Sequence, residues 1–209
     1  MAIVRVREHV NPLSQKYQVP VRAPNWEKVY ARVAQPLHLD IGCGRGQFLL
    51  SMAQLEPQWN FLGLEIREPL VTQANRRRDE LGLMNLHYIF CNANTSLPSL
   101  LLPKSLQSVT IQFPDPWFKR RHQKRRLVQP DMVKNLADCL QPGGSLLIQS
   151  DVSEIAVEMR DRFEAHPAFE NQAGPGCWIL HNPWPIASER EQSTLAQGQQ
   201  VYRAWFIRI

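Results

Sequence analysis

Nowhere in its 209 residues does the chain hold an apolar run of the roughly 18–20 residues that a membrane-spanning helix needs. Arg5, Arg7, Glu8 and His9 stand where an export signal would carry its apolar stretch. Both absences point to a soluble chain that stays in the cytoplasm. Cysteine is scarce too. Cys43, Cys91, Cys139 and Cys177 lie far apart and form no CxxC pair. That spacing excludes a paired-cysteine zinc site and a disulfide framework, so no metal and buried free thiols are expected. With no internal repeat and no linker, one domain over 1–209 is expected. An irregular basic arm over 1–35, broken by Pro12, Pro20 and Pro24, leads into a core over 36–209.

What is present suits a globular chain: 44% hydrophobic and 21% charged residues are enough for a packed core and too apolar for disorder. A short helix is expected over 26–33. Strands are expected over 37–41, 60–65, 86–90, 108–113 and 145–150, and helices on the pattern Phe48, Leu49, Met52 and Leu55 and over 69–81, 127–140 and 152–165. Gly82 is the expected stop of the second of these helices, with Arg76, Arg77 and Arg78 facing outward. Gln141, Pro142, Gly143 and Gly144 read as a turn. Toward the end, 177–180 and 201–209 read as strands separated by a polar stretch rich in Glu and Gln. The alternation predicts an α/β fold. Its sheet is mostly parallel, seven-stranded and covered by helices on both faces, with an antiparallel edge at the C-terminal end.

Two acids and a glycine loop mark a ligand site. Gly42, Gly44 and Gly46 follow the first strand and precede a helix, where a backbone can turn sharply and approach a ligand. The dinucleotide fingerprint wants its third glycine where Gln47 stands, which argues against a nicotinamide dehydrogenase. A nucleoside cofactor without a pyrophosphate, of the S-adenosylmethionine kind, relaxes that requirement. Asp40 ends the first strand and Glu65 the second. A carboxylate at the second position suits two ribose hydroxyls, and one at the first suits an ammonium group or caps the turn. Asn92, after the third strand, is placed either to read an adenine amino group or to form a turn.

After the fourth strand, Pro114 and Pro116 bracket Asp115 and restrict its backbone. Immediately beyond it, Lys119, Arg120, Arg121, Lys124, Arg125 and Arg126 put six of the chain's 24 lysines and arginines into eight positions. A run of that density beside a candidate active carboxylate points to nucleic-acid phosphates, with Trp117 and Phe118 stacking on a base or packing inward. Arg5, Arg7, His9 and Lys16 form a candidate second patch.

Taken together these residues resemble the bacterial tRNA (guanine-N7-)-methyltransferase family, over nearly the whole chain from Arg5 to Phe206. The stretch FPDPWFKRRHQKRR over 113–126 carries most of the specificity, and LHLDIGCGRG is shared with many methyltransferases. The resemblance implies a Rossmann-like class I methyltransferase that uses S-adenosylmethionine to make 7-methylguanosine in tRNA, in the variable loop; whether it works as a monomer or homodimer stays open. It implies that Asp40, Gly42, Gly44, Glu65 and Asn92 contact the cofactor, with Asp115 as the catalytic acid that also lies near it. Lys119 and Asp151 are implied as substrate contacts. The family's T-x-[FY]-E segment corresponds to Ser188, Glu189, Arg190 and Glu191. Ser188 and Glu191 match as substrate contacts, whereas Arg190 replaces an aromatic. Asn92 stands where many relatives carry Asp.

The implied chemistry needs no metal and no general base, because guanine N7 carries a lone pair and no proton. Positioning does most of the work, and a carboxylate such as Asp115 stabilises the charge gained by the purine. Asp151 or Glu191 is expected to accept from the guanine N1–H and amino groups. The rival readings are a methyltransferase for another RNA, a small molecule or a protein, and a non-catalytic RNA-binding module on the same fold.

Overall fold

The computed structural model describes residues 10–209, so Arg5, Arg7 and His9 of the expected arm patch lie outside the described residues. The elements run α1 (Trp26–Val29), β1 (Leu37–Ile41), α2 (Gln47–Leu55), β2 (Asn60–Glu65), α3 (Glu68–Glu80) and β3 (Leu86–Phe90). They continue with α4 (Ala93–Leu100), β4 (Leu106–Gln112), α5 (Pro130–Cys139), β5 (Leu140–Ser150), α6 (Ser153–Glu164), β6 (Phe169–Asn171), α7 (Glu189–Ala196) and β7 (Tyr202–Arg208).

One seven-stranded sheet in the order β3-β2-β1-β4-β5-β7-β6 runs through the molecule. β1 to β5 pair in parallel, and β7 lies antiparallel to both β5 and β6. This is the expected α/β architecture with its antiparallel C-terminal edge. The strand order reverses between β1 and β4, and open α/β sheets bind ligands at the carboxyl ends of strands at such a point. Asp40, Glu65 and Gln112 stand at or next to those ends.

Alternation along β1 explains how the sheet serves two purposes. Leu39 and Ile41 enter one core with Val109, Ile111, Ile148 and Phe206, while His38 and Asp40 point to the opposite face. On that face Phe48, Leu49, Phe61 and Tyr88 make a second core. Both cores are dry enough that a polar group inside them needs a partner.

The structure corrects several local expectations. The stretch 177–180 is not a strand; Leu180 is 84% exposed, and the sixth strand is the three-residue Phe169–Asn171. The polar stretch before β7 is helix α7, capped by Ser188, whose hydroxyl accepts from Glu191 N at 3.4 Å. The turn expected at 141–144 rides instead as a bulge in β5, where the register with β4 shifts and Gly143 takes a φ of 78°. Arg77 does not simply face outward: it donates to Arg45 O at 3.0 Å and ties α3 to the glycine loop. Cys91 and Cys139 are buried free thiols, but Cys177 is exposed. Among the described residues no helix is long and apolar enough to cross a membrane.

Candidate active site

The glycine loop is built by its neighbours. Gly42 N donates to Leu64 O at 2.8 Å, and Gly44 N donates to Glu65 Oε2 at 2.9 Å, so β2 holds the loop from one side. Gly42 has a φ of 79°, and a Cβ there would meet nothing within 4 Å. Its glycine is required by the backbone conformation, and the space beside it is open cavity. Gly46 is required by packing as well, because a Cβ would come within 2.6 Å of the Tyr88 ring. Tyr88, buried on β3, also donates its hydroxyl to Gly46 O at 2.6 Å.

Two cavities meet at this loop. One, of about 120 Å³, is bordered by Glu65, Ile66, Asn92 and Asn94. The other, of about 510 Å³, is bordered by Asp40, Gly44, Asp151, Ser188 and Arg190. Gly42, Arg67, Phe113, Pro114 and Asp115 border both. The larger cavity falls in the roughly 300–1,000 Å³ range of ligand sites.

Glu65 is 3% exposed and heavily engaged. Its Oε1 accepts from Arg67 N and Nε, both at 2.9 Å, and its Oε2 accepts from Gly44 N and from Arg67 Nη2 at 3.1 Å. Those four bonds match the about four acceptor directions of a carboxylate. Asp40 sits deeper. Thr110 donates its hydroxyl to Asp40 Oδ1 at 2.6 Å, and Gln112 Nε2 donates to the same oxygen at 3.4 Å. Burial pushes the Asp40 carboxyl up to about 6, against the opposing pull of those two bonds.

Asp40 ends a buried polar chain. His38 Nε2 lies 3.1 Å from Thr110 Oγ1, and His38 Nδ1 lies 2.8 Å from Ser108 Oγ. Since Thr110 gives its only hydroxyl proton to Asp40, His38 carries its proton on Nε2 and accepts from Ser108 at Nδ1. Burial lowers the His38 pKa to about 3, so the ring is neutral. The period-two pattern of β1 and β4 held the signal for this chain, because the register pairs His38 with Ser108 and Asp40 with Thr110.

The Asp115 loop is strained on both sides. Phe113 has a φ of 47° and Trp117 a φ of 44°, conformations costing bulky residues on the order of 1–3 kcal/mol each. The surroundings hold them there. Phe113 N donates to Gln149 O at 2.8 Å, and Arg126 Nε donates to Pro116 O at 3.0 Å. Arg125 lies 5.1 Å over the Trp117 ring, with His122 edge-on to it at 5.6 Å.

The basic run therefore divides in two. Lys119, Arg120, Arg121 and Lys124 are exposed on a 3₁₀ turn and its approach. Arg126 is only 4% exposed and ion-paired to Glu154 and Glu158 on α6. It is a structural clamp on the Asp115 loop rather than part of the expected phosphate surface, and charge density along the sequence did not reveal which arginine faced inward.

Of the remaining expected site residues, Asn92 caps α4, with its Oδ1 accepting from Asn94 N at 3.1 Å, and also borders the smaller cavity. Asp151, just past β5, borders the larger cavity and accepts through Oδ2 from Arg190 Nε at 2.9 Å and from Arg190 Nη2. Glu191 is not brought to either cavity. It is 1% exposed, its Oε1 paired with Arg203 at 2.7 Å, its Oε2 accepting from Gln149 at 3.0 Å and Asn182 at 2.8 Å.

A family model described as "Putative methyltransferase" matches residues 34–204. A tRNA (guanine-N(7)-)-methyltransferase of Trichormus variabilis is 60% identical, covering 100% of this chain and 98% of that protein. Among solved structures, the aminoglycoside resistance methyltransferase NpmB1 superposes with a TM-score of 0.57 at 16% identity, covering 92% of this chain and 99% of that one. A geranyl diphosphate methyltransferase in complex with SAM superposes at 0.54 with 16% identity, covering 88% and 84%. Likeness at that level of identity shows the fold.

Proposed function

The chain belongs to the tRNA (guanine-N7-)-methyltransferase family, and from that premise we infer that it transfers a methyl group from S-adenosylmethionine to N7 of a guanosine in tRNA. The observation that carries this reading is the full-length 60% identity to such an enzyme. The cavity at the sheet's reversal point, with a fixed carboxylate on its wall and exposed cations beside it, supports it physically. Incorporation of labelled methyl into unmodified tRNA transcripts tests it.

The donors around the glycine loop fit the cofactor. A buried carboxylate lifted toward neutrality at Asp40 suits an ammonium group, and Glu65 suits two ribose hydroxyls. Arg67 now holds three of the four acceptor directions of Glu65, so the ribose takes over places its guanidinium leaves. Gly42 and Gly44 would leave room for the cofactor, and Asn92, on the border of the smaller cavity, would meet its adenine. When bound, S-adenosylmethionine would supply the methyl group, the C–S bond breaking as the N7–C bond forms and the sulfur leaving as a neutral thioether. The chain holds N7 in line, and Asp115 stabilises the positive charge that the purine acquires. Lys119 and its exposed neighbours take the phosphates, and Asp151 and Ser188 line the cavity that receives the base. Glu191 serves from behind, fixing α7 to β5 and β7.

Two outcomes follow directly. Cofactor affinity rises as pH climbs through about 6, because Asp40 is a neutral acid below its raised pKa and a carboxylate above it. Calorimetry is expected to show a Kd about tenfold weaker at pH 5 than at pH 7, and Asp40→Asn flattens the profile. The second concerns the divided basic run. Arg121→Ala reduces the salt slope of tRNA binding by about 0.7 to 0.9. Arg126→Ala leaves that slope intact and lowers kcat, since it releases Pro116 O rather than a phosphate.

A further inference from the structure

We propose that His38 is a positioning residue for the cofactor, aiming the Thr110 hydroxyl proton at Asp40 and so holding the carboxylate an ammonium group needs. The inference rests on the reading above. His38 lies inside the sheet, 0% exposed, and borders neither cavity. It reaches the site through Thr110, whose Oγ1 lies 3.1 Å from His38 Nε2 and 2.6 Å from Asp40 Oδ1. A threonine hydroxyl has one proton and two acceptor directions, so it donates to one of these neighbours and accepts from the other. With the His38 proton on Nε2, Thr110 accepts from the ring and donates to Asp40. Ser108, donating to Nδ1 at 2.8 Å, keeps the ring in that tautomer. Ser108, His38, Thr110 and Asp40 thus form one directed chain in which each bond polarises the next.

Packing alone does not call for an imidazole at this position. Phe48 from α2, Phe61 from β2 and Trp184 from the approach to α7 surround it, with ring centroids at 6.1, 5.7 and 4.7 Å. A leucine would pack there without the cost of desolvating a polar ring. Among the described residues no charged side chain bears on His38, and burial keeps it neutral. Asp40 is less sheltered. Gln112 helps to hold its charge and Glu65 opposes it. Cys43 and Tyr88 beside it stay neutral, because burial pushes both well up. Thr110 makes the shorter of the two bonds on Asp40, 2.6 Å against 3.4 Å from Gln112, so whatever orients Thr110 governs the carboxyl.

Two near-isosteric substitutions test it. His38→Gln places an amide nitrogen near the position of Nε2 and keeps the donor to Thr110. His38→Asn places its oxygen near Nδ1, which keeps the acceptor for Ser108 and loses that donor. Carbon NMR follows the Asp40 carboxyl through its titration in the cofactor-free protein, and calorimetry follows S-adenosylmethionine binding against pH. His38→Asn is expected to raise the Asp40 midpoint by about one pH unit, weakening cofactor binding about fivefold near pH 6 and by less than about twofold near pH 8. His38→Gln keeps the wild-type midpoint. Thr110→Val, which removes the donor to Asp40 outright, raises the midpoint at least as far, and adding His38→Asn to it raises it no further. Nitrogen NMR of the wild-type ring, which needs no variant, is expected to find the proton on Nε2. A proton on Nδ1 overturns the proposal. So do equal midpoint shifts in the two His38 variants, or none in either, the result of a merely structural histidine. A wild-type protein that binds no S-adenosylmethionine overturns the functional reading instead, and the carboxyl titration in the free protein stands apart from it.

Discussion

Asp115→Asn is expected to lower kcat by about 10²-fold while the Kd for S-adenosylmethionine changes by no more than about threefold. The substitution keeps shape and one acceptor and removes only the negative charge. That charge matters most when the purine becomes cationic, so the loss falls on the transition state rather than on ground-state binding. The prolines on either side, the left-handed φ of Phe113 and Trp117, and the Arg126 bond to Pro116 O restrain the loop backbone, while the Asp115 charge also acts on Arg67. Single-turnover transfer to tRNA, measured at saturating cofactor and RNA, separates the two effects. A kcat within twofold of wild type would assign Asp115 to positioning alone.

Glu191→Ala is expected to destabilise the protein by about 3–5 kcal/mol, the usual consequence of leaving one partner of a buried ion pair alone. Arg203 is 5% exposed and has Glu191 as its paired carboxylate, with Gln149 accepting from its Nε at 3.2 Å. Removing Glu191 strands that guanidinium between β5 and β7 and also unseats Asn182. Against a typical total of about 5–15 kcal/mol, such a loss shows plainly in urea unfolding. If Glu191 instead read the guanine, the variant would unfold like wild type and show only a raised KM.

The first half of the fold was legible because its signals are local. Apolar runs, the glycines after β1 and the acids at two strand ends together placed the first strands and the glycine loop between them and the next helix. The tail was not legible for a physical reason. Helix α7 buries Glu191 and Thr194 rather than an apolar stripe, so no 3.6-residue hydrophobic period marks it. The run at 177–180 looks like a strand by composition, yet Leu180 faces solvent, and the three residues of β6 are too few to show a pattern. In the site, residue types announced Asp40, Glu65 and Asp115, whereas Arg67, Arg126 and Arg190 depend on which acid each one meets. Those partners lie two, 28 and 39 positions away, and only folding brings the distant ones together.

The most direct test is to incubate unmodified tRNA transcripts with the protein and methyl-labelled S-adenosylmethionine, then treat the RNA with borohydride and aniline. The expected result is label incorporation with strand scission at one guanosine, the chemical mark of a 7-methylated base. Label without scission would contradict methylation at N7, and no label in any tRNA would contradict the tRNA methyltransferase reading as a whole.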